Sequence, residues 1–223
     1  VKSLYNMVGI NPLTQDNSGA SVELIEELNT LDKIQILNAL GKVDYEMTDK
    51  NLVQVSSFKT PNEVMLLLKQ KVEVDFIEIQ SSDIILALDG IKDPGNMGTI
   101  IRLADWFGVD HILCTSDSVD QYNPKVVQSA MGSISRVNLH YGNLVQMLTK
   151  LESHKIYACD LHGESIHDVV FKGKTVLIMG SESHGISKEV NSIVDNKITI
   201  PPVSNTEIDS LNVASATAIS LSL

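Results

Sequence analysis

From Asp83 to its end the chain alternates short apolar runs with helix-like segments, and this alternation limits the fold more than any other feature. "DIILALDG", "HILCTS", "SRVNLHY", "KIYACDL", "KTVLIMG" and "NKITIPP" read as strands. "GTIIRLADWFG", "PKVVQSAMGSI", "NLVQMLTKLE" and "SKEVNSIV" lie between them and read as helices. Strands that are apolar along their whole length are buried on both faces, which is the habit of parallel sheets. The predicted class is therefore α/β, a parallel sheet flanked by helices. Residues 81–223 form this domain, and residues 1–80 read as a separate small α/β domain. There, Leu24, Leu28 and Leu31 recur at helical spacing behind Ser21, a candidate cap. "KVDYEM" is strand-like and "TDKNLVQVSS" helix-like.

Composition narrows the class of function. With 43% apolar and 20% charged residues, this is ordinary globular material. No run approaches the ~18 apolar residues of a membrane span. "VKSLYNMVGINPL" lacks the basic and apolar regions of a signal peptide, so a cytoplasmic location without membrane attachment is expected. The two cysteines, Cys114 and Cys159, both sit in strand-like runs and are expected to be buried thiols in a reducing compartment. His162 and His167 have no partner at metal-ligand spacing, so no metal is predicted. The formal charge of −11 argues against indiscriminate nucleic-acid binding but leaves room for a local basic groove.

Ligands of parallel sheets bind outside the carboxyl ends of the strands, where three loops of this chain fall. The first, "LDGIKDPGNMGTIIRLADWFG", spells neither a dinucleotide fingerprint nor a phosphate loop. In it Asn96 can cap the following helix or reach a ligand, and Arg102 either pairs with Asp105 at i+3 or serves a site. The stem of Arg102, flanked by Ile100, Ile101, Leu103 and Ala104, must run along packed surface. Trp106 reads as packing. The second loop, "MGSESHGIS", sets Glu182 between Gly180 and Gly185: a polar contact in a cleft, or a solvated turn or helix cap. The third, "ITIPPVSNTEIDSLNVASATAIS", leads into a small-residue helix that Ser210 can cap, which leaves Asn212 without a task.

Taken in order, "DPGNMGTIIRLADWFGV", "GSESHGIS" and "ITIPP…SLNVASATAIS" closely resemble the three motifs of the SpoU/TrmH family of S-adenosylmethionine-dependent RNA 2′-O-ribose methyltransferases. "YNPKVVQSAMGSI" resembles the family's helix between the first two motifs. "NLVQVSSFKTPNEVMLLLK" resembles the end of the substrate-binding domain that many members carry. The resemblance covers about Ile84 to the end. It implies a C-terminal trefoil knot, a homodimer and a bent S-adenosylmethionine held by backbone at Gly180, Ile200 and Leu211. It further implies that Arg102 acts on the ribose hydroxyl, while Asn96, Glu182, Ser210 and Asn212 shape the site. A free guanidinium is a poor base, so Arg102 is expected to organise the site and stabilise the alkoxide. The link Pro201–Asp209 is longer than the family's pattern and brings Glu207 and Asp209 beside the expected RNA-facing site.

The substrate implied is ribosomal RNA in preference to transfer RNA. Two alternatives stay open from sequence. One is a non-catalytic RNA-binding scaffold that retains the knotted domain; the other is a methyltransferase acting on a base nitrogen.

Overall fold

The computed structural model describes residues 24–28, 48–55, 64–68, 75–203 and 210–222. The chain divides into two compact units, Val1–Val72 and Glu73–Leu223. In the first, strand β1 (Leu24–Leu28) pairs antiparallel with β2 (Val64–Leu68), Leu24 opposite Leu68 and Leu28 opposite Val64. Helix α1 (Asp49–Val55) matches the helix-like "TDKNLVQVSS". The helix expected behind Ser21 is corrected here, because "LIEEL" is a strand. Its leucines fit helical spacing, but the apolar "VMLLL" offers it a hydrogen-bonded ladder, and such pairing overrides local preference. Ser21, Leu31 and "KVDYEM" lie outside the described residues.

The second unit begins before residue 80. Helix α2 (Phe76–Ser81) starts behind Asp75, whose carboxylate accepts the Ile77 N–H, and it contributes Ile79 to the core. Then follow β3 (Ile84–Asp89), α3 (Pro94–Phe107), β4 (His111–Thr115), α4 (Pro124–Ala130), a 3₁₀ turn (Ser133–Ser135) and β5 (Asn138–Gly142). After α5 (Leu144–Leu148) come β6 (Lys155–Ser165), β7 (Thr175–Gly180), α6 (Lys188–Asn191), β8 (Asn196–Thr199) and α7 (Val213–Leu221). The six strands lie in the order β5-β4-β3-β7-β6-β8, and every pairing is parallel. This is the α/β architecture expected from the sequence.

Burial follows from that order. Ile85, Ala87, Leu113, Val176 and Ile178 pack with Leu144, Leu148 and Leu151, Val190 and Ile79, so α2, α5 and α6 cover one face. Their strand neighbours Leu86, Leu88, Ile112 and Leu177 are equally buried and point to the other face. That face belongs to α3, which packs on α4 and α7 and buries Met97, Ile100, Ile101 and Ala104. Gly98 makes the α3–α4 approach possible: a Cβ there would stand 2.7 Å from the Val126 carbonyl oxygen. Asp93 caps α3 ahead of Pro94, and Gly108 closes it in the left-handed region with φ 72°.

Two further expectations change. Trp106 is 83% exposed rather than packed within the chain, because it falls on the solvent face of α3 with Thr99 and Arg102. Strand β6 continues through "LHGES", read as loop, by slipping register so that Cys159 and Glu164 both stand opposite Ile198. The cysteines are free thiols, as expected, and burial pushes Cys159 up to about 11 and Cys114 higher. Among the described residues no helix is long and apolar enough to cross a membrane.

Candidate active site

The turn from β3 into α3 is clamped from both sides. On one side, the Gly90 N–H donates to Thr115 Oγ1 (2.9 Å) and the Ile91 N–H to Ser118 Oγ (3.2 Å). On the other, the Ser187 N–H donates to Asp89 Oδ2 (2.7 Å), which binds the loop after β7 to the end of β3. Asp89 is only 7% exposed. It escaped the sequence reading, although a carboxylate closing an otherwise apolar strand was its visible signal. Lys92 and Asp117 add an exposed ion pair at this turn, and the hydrogen bond from Lys92 holds the Asp117 carboxyl below the usual range.

Because Asp93 accepts the Asn96 N–H (2.8 Å), Asp93 is the helix cap and the Asn96 side chain is released for other work. Asn96 Nδ2 donates to Glu182 Oε1 at 2.8 Å. The Asn212 amide donates to the same oxygen and to Asn96 Oδ1, each at 2.9 Å. Asn212 Oδ1 meanwhile accepts from the N–H groups of Ala214 and Ser215, so Asn212 caps α7. The cap expected at Ser210 is therefore corrected: α7 starts at Val213, and asparagine is among the best N-cap residues. Nor does Glu182 cap a helix, since α6 starts later under Ser187.

Three of the expected residues, from loops 86 and 30 positions apart, thus form one hydrogen-bonded triangle. Glu182 Oε2 and one Asn96 N–H stay unused among the described residues. The loop that holds Glu182 is tight. Ser181 and Gly185 bridge it, and a Cβ on Gly180 would come within 2.5 Å of the Gly185 oxygen, so only glycine fits. His184 is drawn into this loop, its ring 2.7 Å from Ser183 Oγ.

The structure does not join Arg102 to the triangle. Its side chain is exposed on α3 and bonded to no other described residue. The alternative of a pair with Asp105 gives way: Asp105 is held by Arg136, at 2.6 Å from Nη2, and by Ser133 at 2.7 Å. Ser210 is exposed just before the triangle, beyond the undescribed residues 204–209. Gly180 and Ile200 stand at or just past the ends of β7 and β8, on either side of β6, and Leu211 is 47% exposed. Leu161, at the β6 bulge, accepts a hydrogen bond from Thr199 and is also exposed. Lys197 is engaged by Asp160 at 2.7 Å. These strand ends therefore offer backbone groups and apolar side chains, a set suited to a nucleoside ligand without phosphates. Among the described residues no group of His, Cys, Asp or Glu could hold a metal.

The profile of the SpoU rRNA methylase family matches residues 83–222. Over 201 residues the chain is 27% identical to the 23S rRNA (guanosine(2553)-2′-O)-methyltransferase RlmP of Bacillus subtilis, covering 88% of this chain and 79% of RlmP. Two further curated relatives are spanned over 50% and 61% of their length. Among solved structures, a TrmH-family protein of Porphyromonas gingivalis superposes with a TM-score of 0.75 at 30% identity, over 90% of this chain and 88% of its own. An AdoMet-bound rRNA methyltransferase of Sinorhizobium meliloti superposes at 0.75 with 25% identity, over 89% and 78%. The three loops, the parallel sheet that carries them and the profile that spans both agree: this chain belongs to the SpoU rRNA methylase family.

Proposed function

We propose that the chain transfers the methyl group of S-adenosylmethionine to a ribose 2′-hydroxyl of RNA. The observation that carries this reading is the Asn96–Glu182–Asn212 triangle, which welds the three family loops into one site at the carboxyl edge of the sheet. When bound, S-adenosylmethionine supplies a methyl already activated by a positive sulfonium. Gly180, Ile200 and Leu211 would hold it by backbone, and strand ends whose one lysine, Lys197, is already paired with Asp160 suit a cofactor that carries no phosphate. The Glu182 carboxylate, surrounded by neutral amides, suits a cationic neighbour. What the protein must add is alignment of the ribose oxygen with the methyl, which contributes on the order of 7–11 kcal/mol.

As the O–C bond forms and the C–S bond breaks, the hydroxyl proton must leave. A guanidinium is a poor base, so the role of Arg102 here is to stabilise the alkoxide, with an RNA phosphate accepting the proton. Asn96 and Ser210 would orient the ribose.

Arg102 shares the solvent face of α3 with Trp106, one helical turn further on, and α3 packs on α7. Such an apolar, cationic face supports a homodimer in which a second copy completes each site. Strand β8 lies at the sheet edge outside β6, whereas α7, the next described element, packs on α3 and β7 in the middle of the sheet. This displacement of the last helix from the last strand supports the trefoil knot. The 23S rRNA named for RlmP favours ribosomal over transfer RNA, and the free thiols of Cys114 and Cys159 favour a cytoplasmic enzyme.

The test is incubation with labelled S-adenosylmethionine and total RNA from cells lacking the gene, followed by nucleoside analysis. A labelled 2′-O-methylnucleoside that disappears with Arg102→Ala is expected. Label on a base, or cofactor binding with no transfer to RNA, would overturn the reading.

A further inference from the structure

A second recess opens on the same edge of the sheet and belongs to none of the three loops' shared triangle. Its floor is Thr115 and Gly142, the last residues of β4 and β5, and its volume is about 500 Å³. One wall comes from α5, the other from Ser187 and α6. We propose that this recess receives a nucleobase of the RNA beside the nucleotide being methylated, and that it selects bases with an exocyclic amino group. This rests on the RNA methyltransferase reading above.

Position is the first argument. Strand β4 adjoins β3 and β5 adjoins β4, so at ~4.8 Å per strand the recess lies about 5–10 Å sideways from the end of β3. The turn that carries Asn96 leaves from that strand end, and Thr115 holds this turn through Gly90. Ser187 closes the loop that holds Glu182. An RNA whose ribose lies against the triangle therefore has a neighbouring nucleotide over the recess.

Chemistry is the second. Val145, half-buried over the core residues Leu144 and Val190, supplies apolar surface against which the edge of a flat base can lie. Three polar side chains line the same space with capacity to spare. Asn143 uses its oxygen on the Gln146 N–H (3.0 Å), which leaves its amide donors. The side chains of Gln146 and Glu189 bond to no other described residue. Donors and acceptors of this kind match a base edge, and splayed single-stranded bases are what RNA-binding proteins read by sequence. Glu189 argues against a phosphate here, because a carboxylate repels it and no lysine or arginine lines the recess. A carboxylate only accepts, so it takes up the amino N–H of guanine, adenine or cytosine, whereas uracil offers only its ring N3–H, set between two carbonyl oxygens that repel a carboxylate.

The full chain serves for the test, with Gln146→Ala and Glu189→Gln, both at exposed positions. Methyl transfer to the mapped RNA is measured alongside S-adenosylmethionine affinity. Each variant is expected to raise the apparent KM for RNA about tenfold, the loss of one hydrogen bond to a charged or polar group, with kcat and cofactor affinity unchanged. Replacing the adjacent base by an abasic residue should cost the wild-type protein more than either variant alone, and should cost each variant about tenfold less than it costs the wild type. An unchanged KM in both variants, or losses that simply add, would sink the base pocket while leaving the methyltransferase reading intact. Absence of methyl transfer by the wild-type protein would remove both.

Discussion

Asn212 does two jobs with one side chain, and substitution can separate them. Its Oδ1 caps α7, while its amide holds Glu182 and Asn96. Asn212→Ala loses both. The cap alone is worth about 1 kcal/mol, or about 2–4 °C in melting temperature for a domain of this size. Asn212→Ser keeps a capping oxygen, since serine ranks with asparagine at this position, but it is too short to bridge to Glu182 and has no amide donors. It should melt close to the wild-type protein. Its activity should nonetheless fall, because two hydrogen bonds are gone, one of them to a carboxylate. In an exposed cluster their combined worth is on the order of 2 kcal/mol. At 1.36 kcal/mol per tenfold, that is about thirtyfold in methyl transfer. Calorimetry and the RNA methylation assay on the same preparations decide it. If Asn212→Ser melts normally and methylates at the wild-type rate, the triangle is a structural latch and has no part in the site.

Other perturbations read single contacts. Asp89→Ala strands the Ser187 N–H beside a buried strand end and should cost about 1–3 kcal/mol in urea unfolding, with Asp89→Asn recovering most of it. Gly180→Ala sets a Cβ against Gly185 and should cost about 1–3 kcal/mol by the same measurement, with weakened S-adenosylmethionine binding in calorimetry. If the proposed homodimer forms through this face, the wild-type protein should sediment as a dimer and Trp106→Glu as a monomer in analytical ultracentrifugation; a monomeric wild type would remove the dimer, and an unchanged dimeric variant would remove this face from it. Burial first, and then Lys174, lower the pKa of His154, whose Nε2 donates to the Ser82 carbonyl oxygen. The folded state therefore binds its proton less readily than the unfolded chain. The contribution is intact above the unfolded value of about 6.5 and is lost as pH falls towards the folded value. His154→Gln should flatten that part of the stability–pH curve.

The sheet was legible because each of its strands is apolar over its length, from "IILALD" to "TVLIMG", so periodicity and burial pointed the same way. The ends of elements were less so. "LIEEL" carries a helical spacing that only its partner strand, forty residues on, can overrule. "SLNV" reads as a helix start at Ser210 because serine and asparagine are both good caps, and the choice between them depends on the place to which Asn212's amide can reach. Site identity came from three separated motifs, none informative alone. What no local pattern could reveal were contacts made across the sheet, such as Asp89 with Ser187 and Asn96 with Glu182.

The same cross-sheet view isolates Arg102. Asn96, Glu182 and Asn212 are wired into the triangle, Gly180 and Ile200 stand at the adjoining strand ends, and Ser210 and Leu211 lie on the segment just before Asn212, whereas Arg102 stands apart on α3, exposed and unbonded among the described residues. A side chain with no partner in the fold can be removed without unfolding anything, so Arg102→Ala and Arg102→Lys should both melt as the wild-type protein does. Their activities should differ. If arginine served as the base, it would have to shed a proton that a guanidinium holds very tightly, and lysine, which releases its proton more readily, would do the task better. If arginine stabilises developing negative charge, lysine keeps the charge and loses only the planar fork. Arg102→Lys should then retain at least about tenfold more activity than Arg102→Ala but stay below wild type, and added guanidinium should partly restore Arg102→Ala. A lysine variant faster than wild type, with a rate that climbs with pH, would assign the proton to residue 102 after all.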